Sequence, residues 1–213
     1  MTTAVRILSL TLAFMMTVAF CSCGYKPSTP TKTDTTNSES ASTPDLTVTN
    51  TVDITFKGMG DVRVELYGKE APITVENFMK LVNDKFYDGL TIHRNVPGFV
   101  IQGGDPLGNG TGGSKDTIKG EFLSNGVDNY ITHERGVISM ARSSLPDSAS
   151  SQFFIVLSDS AKTSLDGQYA AFGKVVSGMD IVDKIAQIEV ADRSSGFIAK
   201  ENQPIIESIR EVK

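Results

Sequence analysis

The stretch Ile92–Asp105 reads IHRNVPGFVIQGGD. A single arginine, Arg94, stands in an otherwise apolar, strand-like run, and Pro97-Gly98 follows as a turn. Phe99–Gln102 reads as a second strand, ending at Gly103-Gly104, where only backbone can approach closely. Residues two apart on a strand share a face, so Val100 and Gln102 point the same way. A second stretch, Ser151–Leu157 (SQFFIVL), puts Gln152, Phe154 and Val156 on one face in the same manner. Two strands, each offering an amide and apolar groups beside a fixed cation, predict an apolar pocket with a few polar hooks.

Outward from this stretch, the chain of 213 residues is one domain with appendages, long enough to bury a core. Charged residues make up 21% and hydrophobic ones 39%, the composition of a soluble globular protein. The net charge of −5 and the lack of a basic block argue against nucleic acid as a partner.

The N-terminus reads as a targeting segment. Arg6 supplies one positive charge, and Ile7–Phe20 is an apolar run too short to span a bilayer comfortably. Ser22-Cys23 then resembles a bacterial lipobox, in which a small residue precedes a cysteine that becomes the lipidated mature N-terminus. Phe20 stands where that pattern usually has leucine. An ordinary secretory signal that leaves Cys23 as a free thiol is the alternative, and the lipoprotein is preferred because a lone exposed thiol is a liability outside the cell. Residues 1–22 are thus the expected signal peptide. Cys21 and Cys23 are the chain's two cysteines, and cleavage before Cys23 leaves only the acylated one, so neither a disulfide framework nor a cysteine metal site is expected. Residues 23–50 are the expected anchor and linker. Within Lys26–Asn50 twelve residues are Ser or Thr, with three prolines and almost nothing apolar, so ordering entropy outweighs burial. As a coil this tether spans on the order of 25–30 Å.

The folded domain is expected over 51–213. Val52, Ile54 and Phe56 alternate with polar residues, Gly58-Met59-Gly60 turns, and Val62, Val64 and Leu66 alternate again, which predicts a β-hairpin. Pro72 suits a first helical position, with Val75, Phe78, Met79 and Val82 at helical spacing and Asn83-Asp84 as the end. The glycine-rich run between Asp105 and Asn129 reads as ordered surface loop. Further strands are predicted at Val137–Ala141, Ser151–Leu157, Tyr169–Val176 and Ile205–Val212, and a second helix at Met179–Ala186. Many short strands and two helices predict a mainly β, closed barrel with helices on its ends.

Several motifs fail their context. Gly108-Asn109-Gly110-Thr111-Gly112-Gly113 matches a dinucleotide fingerprint literally, but neither follows a strand nor opens a helix. With Ser114-Lys115 it resembles a phosphate loop whose last two residues are reversed, and that order puts the lysine off the helix start. His93 and His133 lack a carboxylate cluster at metal-ligand spacing and read as satisfied structural histidines. Ser139, Ser143 and Ser144 sit in no nucleophile elbow. No metal and no cofactor is expected.

Over Thr51–Lys213 the chain resembles the cyclophilins, peptidyl-prolyl cis-trans isomerases. The residues that carry the resemblance are IHRNVPGFVIQGGD (92–105), GNGTGG (108–113), GVISMA (136–141), SSQFFIVL (150–157) and LDGQYAAFGKVVSGMDIVDKI (165–185). It implies an eight-stranded antiparallel barrel capped by two helices, with the active site on the barrel's outer face. Arg94 takes the catalytic position, with Gln102 beside it. Phe99, Val100, Gln102, Phe154 and Leu165 take the proline pocket, and Ala141 and Gln152 the peptide groove. Val100 replaces a frequent methionine. At the rim, Ser164 replaces a frequent tryptophan, Tyr169 a common histidine and Arg142 an asparagine, so these positions bear on substrate and inhibitor preference rather than on the chemistry.

That chemistry agrees with the residues. Amide resonance sets a barrier of about 18–20 kcal/mol to rotation of an X–Pro bond, and lowering it needs no nucleophile and no proton transfer. It needs a donor that favours a localised prolyl nitrogen lone pair, and a dry pocket that grips the ring. Arg94 is always charged and rigidly forked, and Phe99, Phe154 and Leu165 are apolar. The expected partners are proline-containing unfolded or nascent polypeptides, and the membrane through the lipid anchor. A monomer outside the cytoplasm is expected. A tethered proline-peptide-binding module or holdase with little turnover is the alternative, and Arg94 with Gln102 argues against it, since binding alone does not need the cation.

Overall fold

The computed structural model describes residues 46–213. The signal segment, Cys23 and most of the tether lie outside the described residues. Alternation at the start of the domain becomes β1 (Asn50–Phe56) and β2 (Gly60–Leu66), antiparallel, with Val52 opposite Val64 and Ile54 opposite Val62. All four side chains are buried, because a strand's period of two puts them together on one face. Order begins before the expected Thr51. The Thr49 amide donates to the Leu66 carbonyl at 2.9 Å, and Leu46 packs on buried apolar residues.

Helix α1 (Pro72–Asn83) starts on the proline, as its spacing predicts. Ala71 before it has no side chain able to cap. The buried Glu121 takes that role from 47 residues away, accepting from the amides of Ile73 (3.1 Å) and Thr74 (2.7 Å). Strands β3 (Thr91–Val96), β4 (Val100–Asp105), β5 (Val137–Met140), β6 (Phe153–Val156), β7 (Ala171–Ser177) and β8 (Ile206–Glu211) complete the sheet. Helix α3 (Met179–Ala186) matches its spacing. Between β6 and β7 lies α2 (Lys162–Leu165), which the sequence reading missed because one turn holds no full helical period.

The eight strands order β3-β4-β6-β5-β7-β2-β1-β8, every pairing antiparallel. The sheet curls, but the expected closed barrel is not what the pairing shows. Edges β3 and β8 meet through an isolated bridge, Thr91 to Ile205, and scattered backbone bonds such as Ile92 N to Pro204 O (3.0 Å) and Ile206 N to Leu90 O (2.8 Å). Pro204 stands at this seam and has no N–H to donate to a ladder.

Both faces of the central strands are covered. Ile101, Phe153, Ile155 and Phe172 enter the main core with Phe78 of α1 and Ile181, Val182 and Ile185 of α3. Val100, Phe154, Val156 and Ala171 point the other way, into a second cluster with Leu165 and, partly buried, Phe99, Ala141 and Tyr169. This outer cluster is where the predicted pocket residues gather. Among the described residues no helix is long and apolar enough to cross a membrane.

Candidate active site

The site begins with a β-bulge. Between β3 and β4, Ile92 faces Gly103 and Arg94 faces Gln102, so His93 is an extra residue on its strand. Ile92 and His93 are both fully buried, and Arg94 emerges half-buried on the outer face.

A chain of hydrogen bonds sets the guanidinium. Arg94 Nη1 donates to Gln102 Oε1 at 3.0 Å, Gln102 Nε2 to Gln152 Oε1 at 2.8 Å, and Gln152 Nε2 to the carbonyl of Gly112 at 2.7 Å. At its other end, Arg94 Nε donates to the carbonyl of Ser195 at 2.8 Å. Two of the five N–H groups are thereby used. Among the described residues Arg94 pairs with no carboxylate. Burial pulls its pKa down, but a guanidinium starts so high that it stays charged at neutral pH.

Beside it opens a cavity of about 200 Å³ lined by Arg94, Phe99, Val100, Gln102, Ala141, Arg142, Phe154, Leu165 and Tyr169. The Phe154 ring stacks on His133 (6.1 Å between centroids) and meets Tyr169 edge-on (5.6 Å). A second, more polar cavity of about 360 Å³ shares Gln102, Ala141 and Arg142 with the first, and is walled by the backbone of Gly110–Gly113 and by Ser143, Ser148, Ser150 and Gln152. Of the pocket and groove residues read from the sequence, Gln152 lies in the second cavity rather than the first, and the expected rim residue Ser164 lines neither. The glycine run that failed as a nucleotide motif is thus groove wall. Buried Asp105 folds it by accepting from the amides of Leu107, Asn109 and Gly110.

Arg142 lies where the cavities join. Its guanidinium covers the rings of Tyr169 (4.7 Å) and Phe122 (5.0 Å), and it donates to the carbonyls of Gln168 and Ser143. Its charge is therefore spread on aromatic faces at the rim.

The two histidines differ. His133 is satisfied: Nδ1 lies 2.9 Å from Asp166 Oδ1 and Nε2 3.0 Å from Ser139 Oγ. Ser, His and Asp in that order look like a hydrolase triad, but Ser139 is wholly buried and meets no substrate. His93 corrects the sequence reading. It is fully buried, stacked on Phe197 (6.0 Å), and neither ring nitrogen has a partner. Burial pulls its pKa to about 4. No group of three or more metal-ligating side chains occurs among the described residues.

A curled antiparallel sheet thus sets a guanidinium that has no carboxylate partner among the described residues beside a cavity lined by Phe99, Val100, Phe154 and Leu165, next to a second, more polar one. The family model of the cyclophilin-type peptidyl-prolyl cis-trans isomerases matches residues 51–210. Peptidyl-prolyl cis-trans isomerase B of Bacillus subtilis is 47% identical over 129 residues, 61% of this chain and 85% of that protein. A peptidyl-prolyl cis-trans isomerase of Acinetobacter baylyi is 42% identical over 133 residues, 61% of this chain and 69% of its own. The crystal structure of a Cryptosporidium parvum cyclophilin superposes with a TM-score of 0.66 at 30% identity, covering 77% of this chain and 98% of that one. The chain belongs to the cyclophilin-type peptidyl-prolyl cis-trans isomerase family, and its activity is the isomerisation of X–Pro peptide bonds.

Proposed function

We propose that Arg94 is the catalytic donor and that the 200 Å³ cavity holds the proline ring of an unfolded polypeptide outside the cytoplasm. The supporting observation is a half-buried guanidinium without a carboxylate partner among the described residues, bordering a cavity that Phe99, Val100, Phe154 and Leu165 also line. Phe99, Val100, Phe154 and Leu165 grip the ring. As the bond twists, the prolyl nitrogen loses conjugation and its lone pair localises. The free N–H groups of Arg94 favour that state more than the planar one, which is what lowers a barrier. Gln102 holds Arg94 through its carbonyl oxygen and leaves no proton to be moved. Ala141 and Gln152 flank the peptide backbone, and Arg142 and Tyr169 border the residues next to proline.

A Cryptosporidium parvum relative, 31% identical, has been solved in the presence of the dipeptide Ala-Pro, a ligand of the same class. The extracytoplasmic setting rests on Ile7–Phe20 followed by Ser22-Cys23, and the enzyme acts there as a lipid-anchored monomer assisting folding. The holdase alternative predicts peptide binding without turnover.

A protease-coupled assay on an X–Pro peptide separates them. Arg94→Ala is expected to lower kcat/KM by about 10²–10³, the scale of one lost transition-state donor, with peptide affinity within a few-fold. Equal rates for the wild type and Arg94→Ala would remove Arg94 from the chemistry.

A further inference from the structure

The sharpest constraint on Arg94 comes from a loop far along the chain. Around Ser195 the backbone is zipped onto β3 on both sides of the arginine: Asn95 N donates to Gly196 O at 2.7 Å and Ile198 N to His93 O at 2.9 Å. Gly196 lies at φ +77°, and a Cβ there would meet the Asn95 carbonyl at 2.6 Å, so only glycine lets the loop approach. One side chain ties the tip of the turn, and two backbone bonds close its base. Asp192 Oδ1 accepts from the amide (2.9 Å) and hydroxyl (2.8 Å) of Ser194, and Oδ2 from the hydroxyl of Ser195 at 2.6 Å. Asp192 O takes the Gly196 amide, and Ala191 N donates to Phe197 O, each at 2.8 Å.

We propose that Asp192 is a positioning residue for isomerisation, which by closing this turn sets the Ser195 carbonyl against Arg94 Nε. The inference rests on the reading of Arg94 given above. A guanidinium is planar, so two acceptors at its two ends, Gln102 Oε1 on Nη1 and Ser195 O on Nε, fix both its place and its plane. With one acceptor lost it pivots about the other, and the N–H groups facing the cavity sweep off the prolyl nitrogen. A small misplacement of a catalytic group costs rate far more than it costs binding.

Because the carboxylate is on the surface and touches only its own turn, Asp192→Ala should leave the melting temperature unchanged within about 2 °C, the shift expected of a substitution away from core contacts. It should lower kcat/KM about 5- to 20-fold, all in kcat from NMR exchange at saturating peptide, with KM within twofold. Asp192→Asn keeps an acceptor for the Ser194 amide, and the Ser195 hydroxyl reverses to accept from its amide, so activity should stay within about threefold of wild type. In the Arg94→Ala background Asp192→Ala should cost nothing further, the non-additivity expected of a residue acting through another.

Full activity of Asp192→Ala beside an impaired Arg94→Ala overturns this proposal and leaves the Arg94 reading standing. Equal rates for Arg94→Ala and wild type overturn the Arg94 reading itself. Additive losses in the double variant also overturn the proposal, and so does Asp192→Asn falling as low as Asp192→Ala, which would make the carboxylate's charge, not the turn, the cause.

Discussion

His93 and Arg94 are neighbours in sequence, and the bulge sends one into the core and the other to the surface groove. The imidazole goes in without a hydrogen bond at either nitrogen, against Phe197, with Asp105 and Arg94 the charges nearest in effect. Its charged form is thereby disfavoured in the folded protein. The unfolded chain takes up a proton near pH 6.5 and the folded one only near pH 4. Stability from this residue is therefore present above pH 6.5 and drains away as pH falls toward 4. From pH 7 to 4.5 the loss is about 2 kcal/mol. His93→Phe is expected to remove that part of the acid sensitivity in urea unfolding at the two pH values, while His133, also held below its ordinary pKa by burial, keeps a share. A wild-type unfolding free energy that is level from pH 7 to 4.5 would show that His93 finds a partner. Turnover should be flat between about pH 6 and 8, because no step moves a proton and Arg94 does not titrate there. A bell-shaped profile would count against that.

Among the elements, α1 depends on a residue it does not contain. Pro72 marks its start and removes one amide that would lack a partner, while the next two amides are taken by Glu121. A buried carboxylate on two helix N-terminal amides makes charge-assisted bonds and opposes the positive end of the helix dipole. Glu121→Ala is expected to lower the unfolding free energy by about 2–3 kcal/mol and Glu121→Gln by about 1–2. The urea midpoint should fall at an unchanged slope, and no change in midpoint for the alanine variant would refute the capping role. Isomerase activity per folded molecule should survive, because α1 packs on the main core and the site lies on the opposite face of the sheet.

On the scale of the whole molecule, the family model spans residues 51–210, which include every residue named at the site, whereas the proposed anchor is at Cys23, so anchoring and catalysis should separate. Cys23→Ala is expected to abolish fatty-acid labelling and release the protein from membranes, with kcat/KM within twofold of wild type. Unlabelled wild-type protein free in the medium would refute the anchor. What the sequence determined by itself was whatever repeats locally. The period of two in β1 and β2, the helical spacing after Pro72 and Met179, and the facing pairs Val100–Gln102 and Gln152–Phe154 each need only neighbouring residues to be read. Tertiary structure decided the rest. The His93 bulge appears only when β3 is set against β4. The Glu121 cap spans 47 residues and the Ser195 contact with Arg94 spans 101. The meeting of the sheet's two edges, through the bridge from Thr91 to Ile205 beside Pro204, is likewise marked by no local pattern. Local periodicity says which face a residue is on, and it carries no term for which distant segment will lie against that face; hydrogen-bond partners and burial are properties of that second placement.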